Sequence, residues 1–328
     1  MNAGRSDVLL LGPPKKLIVD GLQAAFAVHH ALDPDAAEPM MPEIASRIRG
    51  IAISGPPGRA PDKLMQRLPK LEIVSSFGVG YDHVDAKWAG SNGVVVTNTP
   101  DVLNEEVADT ALGLLLCTVR ELPHAERYLR QGRWAKEGDY RLTPSLRDRT
   151  AGIVGLGRIG KAIARRLDAL RMPVVYHSRR PQPDVSYRHY PNLVDMARDV
   201  DVLIVITPGG AETRNLINAD VLRALGPNGV LINLSRGSVV DEPALIKALQ
   251  EKTILSAGLD VFANEPTVPA ELLALDNVVL LPHVGSASQH TRRAMEQLVV
   301  DNLLAWSRGD APLTPVPETP WPVKRKTA

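Results

Sequence analysis

The stretch Gly152-Ile153-Val154-Gly155-Leu156-Gly157-Arg158-Ile159-Gly160-Lys161 decides the fold. A short apolar run meets three glycines spaced G-x-G-x-x-G, and residues 161–170 then carry apolar side chains at helical spacing. A strand that turns sharply into a helix through such glycines is the phosphate cradle of a dinucleotide-binding βαβ unit. Gly155 permits the tight turn, Gly157 removes the Cβ that would block a pyrophosphate, and Gly160 lets helix and strand pack closely. Together with Leu156, Arg158 and Ile159 they aim backbone amides and the positive end of a helix at one point. A glycine-rich turn with no ligand is the plain alternative, and the flanking strand and helix weigh against it.

The pattern extends in both directions from the cradle. Downstream and including it, β-branched runs at 152–154, 174–176, 202–206, 230–233, 256–260 and 278–281 alternate with helical stretches, which predicts six parallel strands. Upstream, runs at 8–11, 51–53, 73–75 and 94–97 predict a second parallel sheet. Between the two sets, 104–133 opens with a capping Asn104 and two acids, Glu105 and Glu106, and reads as a long connecting helix broken near Pro123. Residues 291–307 repeat the helical pattern, and Pro312, Pro315, Pro317, Pro320 and Pro322 then predict an extended tail. A final helix packed on the first sheet would make that body from both chain ends.

Composition narrows the function classes. The 328 residues include 44 % hydrophobic and 23 % charged side chains, and 38 basic against 37 acidic residues leave a formal charge of +1. That balance offers no electrostatic lure for nucleic acid. Cys117 is the only cysteine, so an internal disulfide and a cysteine cage for a metal are excluded, and a reducing, cytoplasmic setting is expected. No apolar run approaches the 18 or so residues of a membrane span, and the run after Arg5 is too short for a signal peptide. Neither His-Glu-x-x-His nor Gly-x-Ser-x-Gly occurs, which removes zinc hydrolases and esterases of those types. Proline is abundant at 27 residues and aromatics are scarce at 4 %.

A site preferring NAD would carry Asp or Glu about 20 residues beyond the cradle, to bond the ribose hydroxyls. Here the second strand ends His177-Ser178-Arg179-Arg180. Ser178 can donate to a phosphate oxygen and Arg179 or Arg180 can pair with a 2′-phosphate, which predicts NADP(H). Reducing a carbonyl with a nicotinamide further requires a proton donor, a carboxylate beside it and a cation for the substrate. Arg236 follows the fourth predicted strand, Glu265 the fifth and His283 the sixth, at the strand ends where open α/β sheets bind ligands. Solvated loop charges are the competing reading of each.

These segments resemble the D-isomer-specific 2-hydroxyacid dehydrogenases, most closely the glyoxylate/hydroxypyruvate reductases with the plant-type hydroxypyruvate and hydroxyphenylpyruvate reductases. The likeness also covers Gly78-Val79-Gly80-Tyr81-Asp82-His83-Val84-Asp85, Asn98-Thr99-Pro100-Asp101-Val102-Leu103 and Val107-Ala108-Asp109-Thr110. It implies that Arg236 orients a 2-keto acid, that His283 is the proton donor and that Glu265 supports it. It implies that the amides of Val79 and Gly80 hold the substrate carboxylate with Ser286 nearby, and that Asp260 contacts the nicotinamide carboxamide. Val107, Thr110, Thr207, Pro208, Thr213, Leu234, Ser235 and Gly285 complete the implied cofactor contacts.

The implied architecture is α/β, with two Rossmann-like domains of parallel sheets. A coenzyme domain, 101–290, is inserted into a flavodoxin-like substrate domain made of 1–100 and 291–328. Homodimerisation through the coenzyme domain would make 122–147 the subunit-crossing arm, with Trp134 an interface anchor or a core aromatic. The expected reaction is NADPH-dependent reduction of glyoxylate or hydroxypyruvate to glycolate or D-glycerate, without metal, membrane or nucleic acid. Reduction of 2-ketogluconate, hydroxyphenylpyruvate or pyruvate is the alternative, and a dinucleotide-sensing regulator without catalysis the competing class. His29 and His30 are expected to be structural, His83 to orient its turn, His177 to border the adenosine region or merely end its strand, Cys117 to be inert packing, and Lys324-Arg325-Lys326 to be a solvated end.

Overall fold

The computed structural model describes residues 5–322, so Lys324-Arg325-Lys326 lies outside the described residues. The chain divides into two compact units, Met1–Leu103 with Gln289–Ala328, and Asn104–Ser288.

The first unit holds β1 (Asp7–Leu11), β2 (Ala27–Ala31), β3 (Ile48–Ile53), β4 (Ile73–Ser76) and β5 (Val95–Thr97), all parallel, in the order β2-β1-β3-β4-β5. Helices cover the sheet, so its central strands are apolar on both faces and Leu9, Leu11, Ile51, Ile53 and Val74 form one core. Sequence patterning identified four of these strands. β2, Ala-Val-His-His-Ala, escaped it because two histidines interrupt the apolar run. Their polarity is satisfied locally, His29 Nε2 by Asp7 Oδ1 at 2.8 Å and His30 Nε2 by the Gly12 carbonyl at 2.8 Å, and an edge strand tolerates such residues.

The helix Gln289–Ser307 belongs to this unit. It packs on the helix Lys16–Ala25, where Gly21 leaves room for Val300, and its Val299 carbonyl accepts from buried Ser75 Oγ at 3.0 Å. The proline-rich tail is not helical, as expected, but it is not simply extended: it meets β5 at Pro315 and then turns at residues 317–318, where Thr319 N donates to Val316 O at 3.0 Å. Val316 N donates to Val96 O at 2.9 Å and Val96 N to Thr319 Oγ1 at 2.9 Å. The tail thus occupies backbone groups that an exposed sheet edge would leave open to another chain.

The second unit holds β6 (Ala151–Val154), β7 (Val174–His177), β8 (Arg188–Tyr190), β9 (Val202–Val205), β10 (Val230–Asn233), β11 (Ser256–Leu259) and β12 (Val278–Leu280), in the order β12-β11-β10-β9-β6-β7-β8. The sheet therefore has seven parallel strands where patterning predicts six. The additional β8, Arg-His-Tyr, is short and polar because it forms the edge. Strand order reverses at β6, between β7 and β9, and β6 is the strand that runs into the three glycines. Thus the cradle stands at the topological switch point.

The predicted helix 104–133 is three helices, Asn104–Val119, Leu122–Arg130 and Arg133–Glu137. The first break falls at Glu121, whose φ is 50°, and Pro123 sits in the first turn of the following helix, where its missing N–H costs nothing. Trp134 is 58 % exposed, which removes the core-aromatic reading. Cys117 is half-buried, and burial raises its pKa. No helix among the described residues is long and apolar enough to cross a membrane.

Candidate active site

The glycine cradle is shaped by backbone contacts that a side chain would abolish. Gly155 has a φ of 100° and its amide donates to the His177 carbonyl at 2.9 Å, joining the ends of β6 and β7. A Cβ on Gly160 would lie 2.3 Å from the Gly155 carbonyl oxygen. A Cβ on Gly157, by contrast, would meet no atom within 4 Å. The space in front of Gly157 is therefore open, and the helix Arg158–Ala169 begins there with no side chain capping its amides. Leu156 is buried, and Arg158 and Gly157 face outward. An anionic diphosphate fits this combination of open space and helix-start amides that no side chain caps.

At the end of β7 no carboxylate is present. Ser178 Oγ donates to the Arg180 carbonyl at 2.6 Å, and Arg179 pairs with Glu212 at 2.9 Å, both largely solvent-exposed. Arg180 is exposed as well. His177 uses Nδ1 on the Tyr190 carbonyl at 2.8 Å, so it joins β7 to β8. In the loop after β9, Thr213 Oγ1 donates to the Pro208 carbonyl at 2.7 Å, and the backbone of Thr207 lies where a Cβ on Gly155 would be 3.0 Å away.

Three strand ends bring the charged residues together. After β10, Asn233 folds back on its own turn: its Oδ1 accepts from Ser235 N at 3.0 Å and Ser235 Oγ at 2.8 Å, and its Nδ2 donates to Arg236 O at 3.3 Å. This fixes the backbone that presents Arg236, whose guanidinium also donates to the Ser235 carbonyl at 2.7 Å. Leu234 is buried beneath the turn. At Gly237 a Cβ would stand 1.8 Å from the Phe262 carbonyl carbon. The Arg236 loop therefore lies directly on the loop that carries Glu265, at a distance only glycine allows.

Glu265 Oε1 accepts from Phe262 N at 3.0 Å, and its Oε2 meets His283 Nδ1 at 2.7 Å. That bond makes Nδ1 the protonated nitrogen beside a carboxylate and leaves Nε2 available for proton exchange. Burial works to raise the Glu265 pKa. The bonds from His283 and Phe262, with the charges of His283 and Arg236, outweigh it and hold the carboxyl below its ordinary value. His283 itself has a φ of 53°, a left-handed conformation that a histidine adopts rarely. The backbone is held there because His283 N donates to the Asp260 carbonyl at 2.9 Å.

Asp260 organises the next turn. Only 2 % exposed, its Oδ1 accepts from Val284 N at 2.7 Å and its Oδ2 from Gly285 N at 2.8 Å. Burial raises its pKa, against the pull of those two amides and of His283. Gly285 in turn accepts at its carbonyl from Thr110 Oγ1, 3.1 Å away, which ties this loop to the helix Asn104–Val119 near buried Val107. Ser286 follows, half-buried. Arg236, Glu265, Asp260, His283, Gly285 and Ser286 thus come from neighbouring strand ends of one sheet.

The sequence profile of the D-isomer specific 2-hydroxyacid dehydrogenase, NAD binding domain, matches residues 112–285. The chain belongs to the D-isomer-specific 2-hydroxyacid dehydrogenases. It is 45 % identical to glyoxylate/hydroxypyruvate reductase A of Arabidopsis thaliana over 94 % of this chain and 98 % of that one. It is 38 % identical to the 2-ketogluconate reductase of Gluconobacter oxydans over 96 % and 99 %. Among solved structures, it resembles the NADPH-dependent glyoxylate/hydroxypyruvate reductase of Sinorhizobium meliloti in complex with NADP and malonate, with a TM-score of 0.91 and 52 % identity over 99 % of this chain and 100 % of that one.

Two positions in this dehydrogenase were not picked out by sequence reasoning, Asn233 and Gly237. Asn233 closes a predicted strand, and an asparagine followed by Ser in a strand-end turn is a signal for a side chain bonding its own backbone. Gly237 gave no signal of its own, since its necessity comes from a loop 25 residues away. In the first unit, the Gly78-Val79-Gly80 loop follows β4 and is pinned by Gly78 N on Thr99 Oγ1 at 2.9 Å and Asn98 Nδ2 on Val79 O at 2.8 Å. His83 Nε2 lies 2.8 Å from Ser76 Oγ, in keeping with a turn-orienting role.

Proposed function

We propose that the protein reduces small 2-keto acids with NADPH, taking glyoxylate to glycolate and hydroxypyruvate to D-glycerate. The observation that carries this reading is the 2.7 Å contact between His283 Nδ1 and Glu265, one strand end away from Arg236. NADPH, when bound, supplies the hydride. Arg236 binds the 2-keto acid by charge-assisted hydrogen bonds and favours negative charge on the carbonyl oxygen as it develops. His283 gives the proton from Nε2 to that oxygen. Glu265 keeps the ring in the tautomer and orientation that make this transfer possible and stabilises the imidazolium before it. The amides of Val79 and Gly80, with Ser286, take the substrate carboxylate.

For the cofactor, Gly155, Leu156, Gly157, Arg158, Ile159 and Gly160 cradle the diphosphate. Ser178, Arg179 and Arg180 take the 2′-phosphate, and the pairing of Arg179 with exposed Glu212 is one the phosphate would compete for. Thr207, Pro208, Thr213, Leu234, Ser235, Asp260, Val107, Thr110 and Gly285 line the remainder. A cytoplasmic homodimer completes the proposal, with 122–147 as its arm. In that segment Leu122, Leu129, Trp134 and Leu142 are large apolar side chains left exposed on the single chain, the kind of surface that an interface covers.

Loss of NADPH absorbance with a panel of glyoxylate, hydroxypyruvate, 2-ketogluconate, hydroxyphenylpyruvate and pyruvate tests the reading. Turnover of the first two is expected. Arg236→Ala should raise KM and lower kcat together, and His283→Ala should remove turnover while NADPH binding persists. Absence of turnover with every acid would favour a nucleotide-sensing regulator, against which the assembled Arg236, Glu265 and His283 argue.

A further inference from the structure

The loop Gly78-Val79-Gly80-Tyr81 is held by its carbonyls and leaves two of its amides open. Thr99 N donates to Gly78 O at 2.9 Å and Asn98 Nδ2 to Val79 O at 2.8 Å. The N–H groups of Val79 and Gly80 donate to no group among the described residues. In a planar trans peptide C=O and N–H point opposite ways. Fixing Gly78 O therefore aims the Val79 N–H, and fixing Val79 O aims the Gly80 N–H. Successive amides held in direction and left without an acceptor suit a carboxylate.

The segment after the helix Gln289–Ser307 holds Asn98 in place. Thr314 Oγ1 donates to Asn98 O at 2.6 Å, and Asn98 N donates to Thr314 O at 3.3 Å. Thr314 is fixed in turn by Asn302, fully buried in that helix. Asn302 Nδ2 donates to Thr314 Oγ1 at 2.9 Å, and its Oδ1 accepts from Thr314 N at 3.1 Å. Four residues further on, Glu318 Oε2 accepts from the Tyr81 hydroxyl at 3.0 Å, at the other end of the loop. The segment cannot slide past these contacts. A Cβ on Gly90 would stand 2.4 Å from Glu318 O, and buried Thr319 Oγ1 accepts from Val96 N at 2.9 Å and donates to Val96 O at 3.2 Å.

We propose that the C-terminal segment 314–319 is a clamp on the keto-acid site. Thr314, through Asn98, and Glu318, through Tyr81, are positioning residues that aim the amides of Val79 and Gly80 at the substrate carboxylate. This rests on the 2-keto acid reductase reading. The carboxylate carries the same charge before and after hydride transfer, so contacts to it stabilise ground state and transition state alike. Loosening the clamp therefore raises KM and spares kcat. A loss of folded protein does the reverse, lowering the apparent kcat and sparing KM.

The test measures kcat and KM for glyoxylate at saturating NADPH, and NADPH affinity by fluorescence. It is run on the intact protein, Thr314→Val, Glu318→Ala, Thr314→Ser and Glu318→Gln. KM is expected to rise by about threefold to tenfold in Thr314→Val and in Glu318→Ala, the worth of one hydrogen bond, with kcat and NADPH affinity held within about twofold. Thr314→Ser keeps the hydroxyl and Glu318→Gln keeps an acceptor for Tyr81, so both should keep KM within about twofold of the intact value. A thermal transition on each variant identifies one that does not fold. Glu318 is exposed, so its truncation leaves the core intact and carries the comparison if Thr314→Val fails to fold. A rise in KM in one variant alone assigns the clamp to that contact. If neither folded variant raises KM by about threefold, if kcat falls by as much as KM rises, or if the conservative variants are impaired equally, the clamp is wrong while reduction of glyoxylate stands. If the intact protein turns over no 2-keto acid, the reductase reading itself fails and the clamp with it.

Discussion

Two glycines three residues apart should respond in opposite ways to the same substitution. At Gly160 an added methyl would stand 2.3 Å from the Gly155 carbonyl oxygen. That neighbour is backbone at the end of β6, so the helix Arg158–Ala169 must retreat by well over half an ångström. Overpacking of this kind costs about 1–3 kcal/mol, and in a domain of 150–250 residues each kcal/mol lowers Tm by about 2–4 °C. Gly160→Ala should therefore melt roughly 2–12 °C below the parent. At Gly157 the methyl meets nothing within 4 Å, and the backbone, at φ −81° and ψ −160°, is open to any L-residue. Gly157→Ala should match the parent or gain about 0.4–1 kcal/mol from a less flexible unfolded chain, a Tm change of roughly 0–4 °C. Its methyl would occupy the space assigned to the diphosphate, so NADPH affinity should fall at least about tenfold. Circular-dichroism melts and NADPH fluorescence titrations read both quantities. A Gly157→Ala protein that binds NADPH as tightly as the parent would refute the cradle, and a Gly160→Ala protein with an unchanged melt would refute the packing argument.

Glu265→Gln keeps the shape of the side chain and removes the charge that faces His283. Turnover should drop at least about tenfold, a part of the 10²–10⁴ that a positioned acid supplies, while NADPH affinity measured by fluorescence holds. Because the Glu265 carboxyl is held below its ordinary value, its contribution is present above the unfolded pKa of about 4.3 and is lost as pH falls through the lowered folded value. Activity should thus decline on the acid side through this group only at pH below the ordinary carboxylate value, and a decline through Glu265 above that value in a rate profile would contradict the assignment. Arg179→Ala and Arg180→Ala, singly and together, should raise KM for NADPH more than KM for NADH; equal effects on both cofactors would remove the 2′-phosphate role. Burial and then the carboxylates of Glu318 and Asp168 push the phenols of Tyr81 and Tyr187 up to about 12. A raised folded pKa stabilises fully below the ordinary value of about 10 and is lost as pH rises through 12, so two tyrosines should ionise late in an ultraviolet titration. Tyr81→Phe and Tyr187→Phe should each delete one late phenol.

Local sequence determined most of this protein. The central strands of both sheets are legible because parallel strands covered on two faces must be continuously apolar, and β9 and β10 have no other reading. The cradle is legible because its demands fall on consecutive residues. So are Arg236, Glu265 and His283 as charges placed after strands. The edge strands β2 and β8 were hidden because an edge tolerates His29, His30, Arg188 and His189, which erases the pattern. Tertiary structure alone decided that Gly237 must be glycine, since the obstacle is the backbone of Phe262. It alone set the left-handed backbone of His283, held by the Asp260 carbonyl, and the meeting of Thr314 with Asn98 behind the Val79 carbonyl. Each of these depends on distances between segments far apart in the chain, which no local pattern encodes.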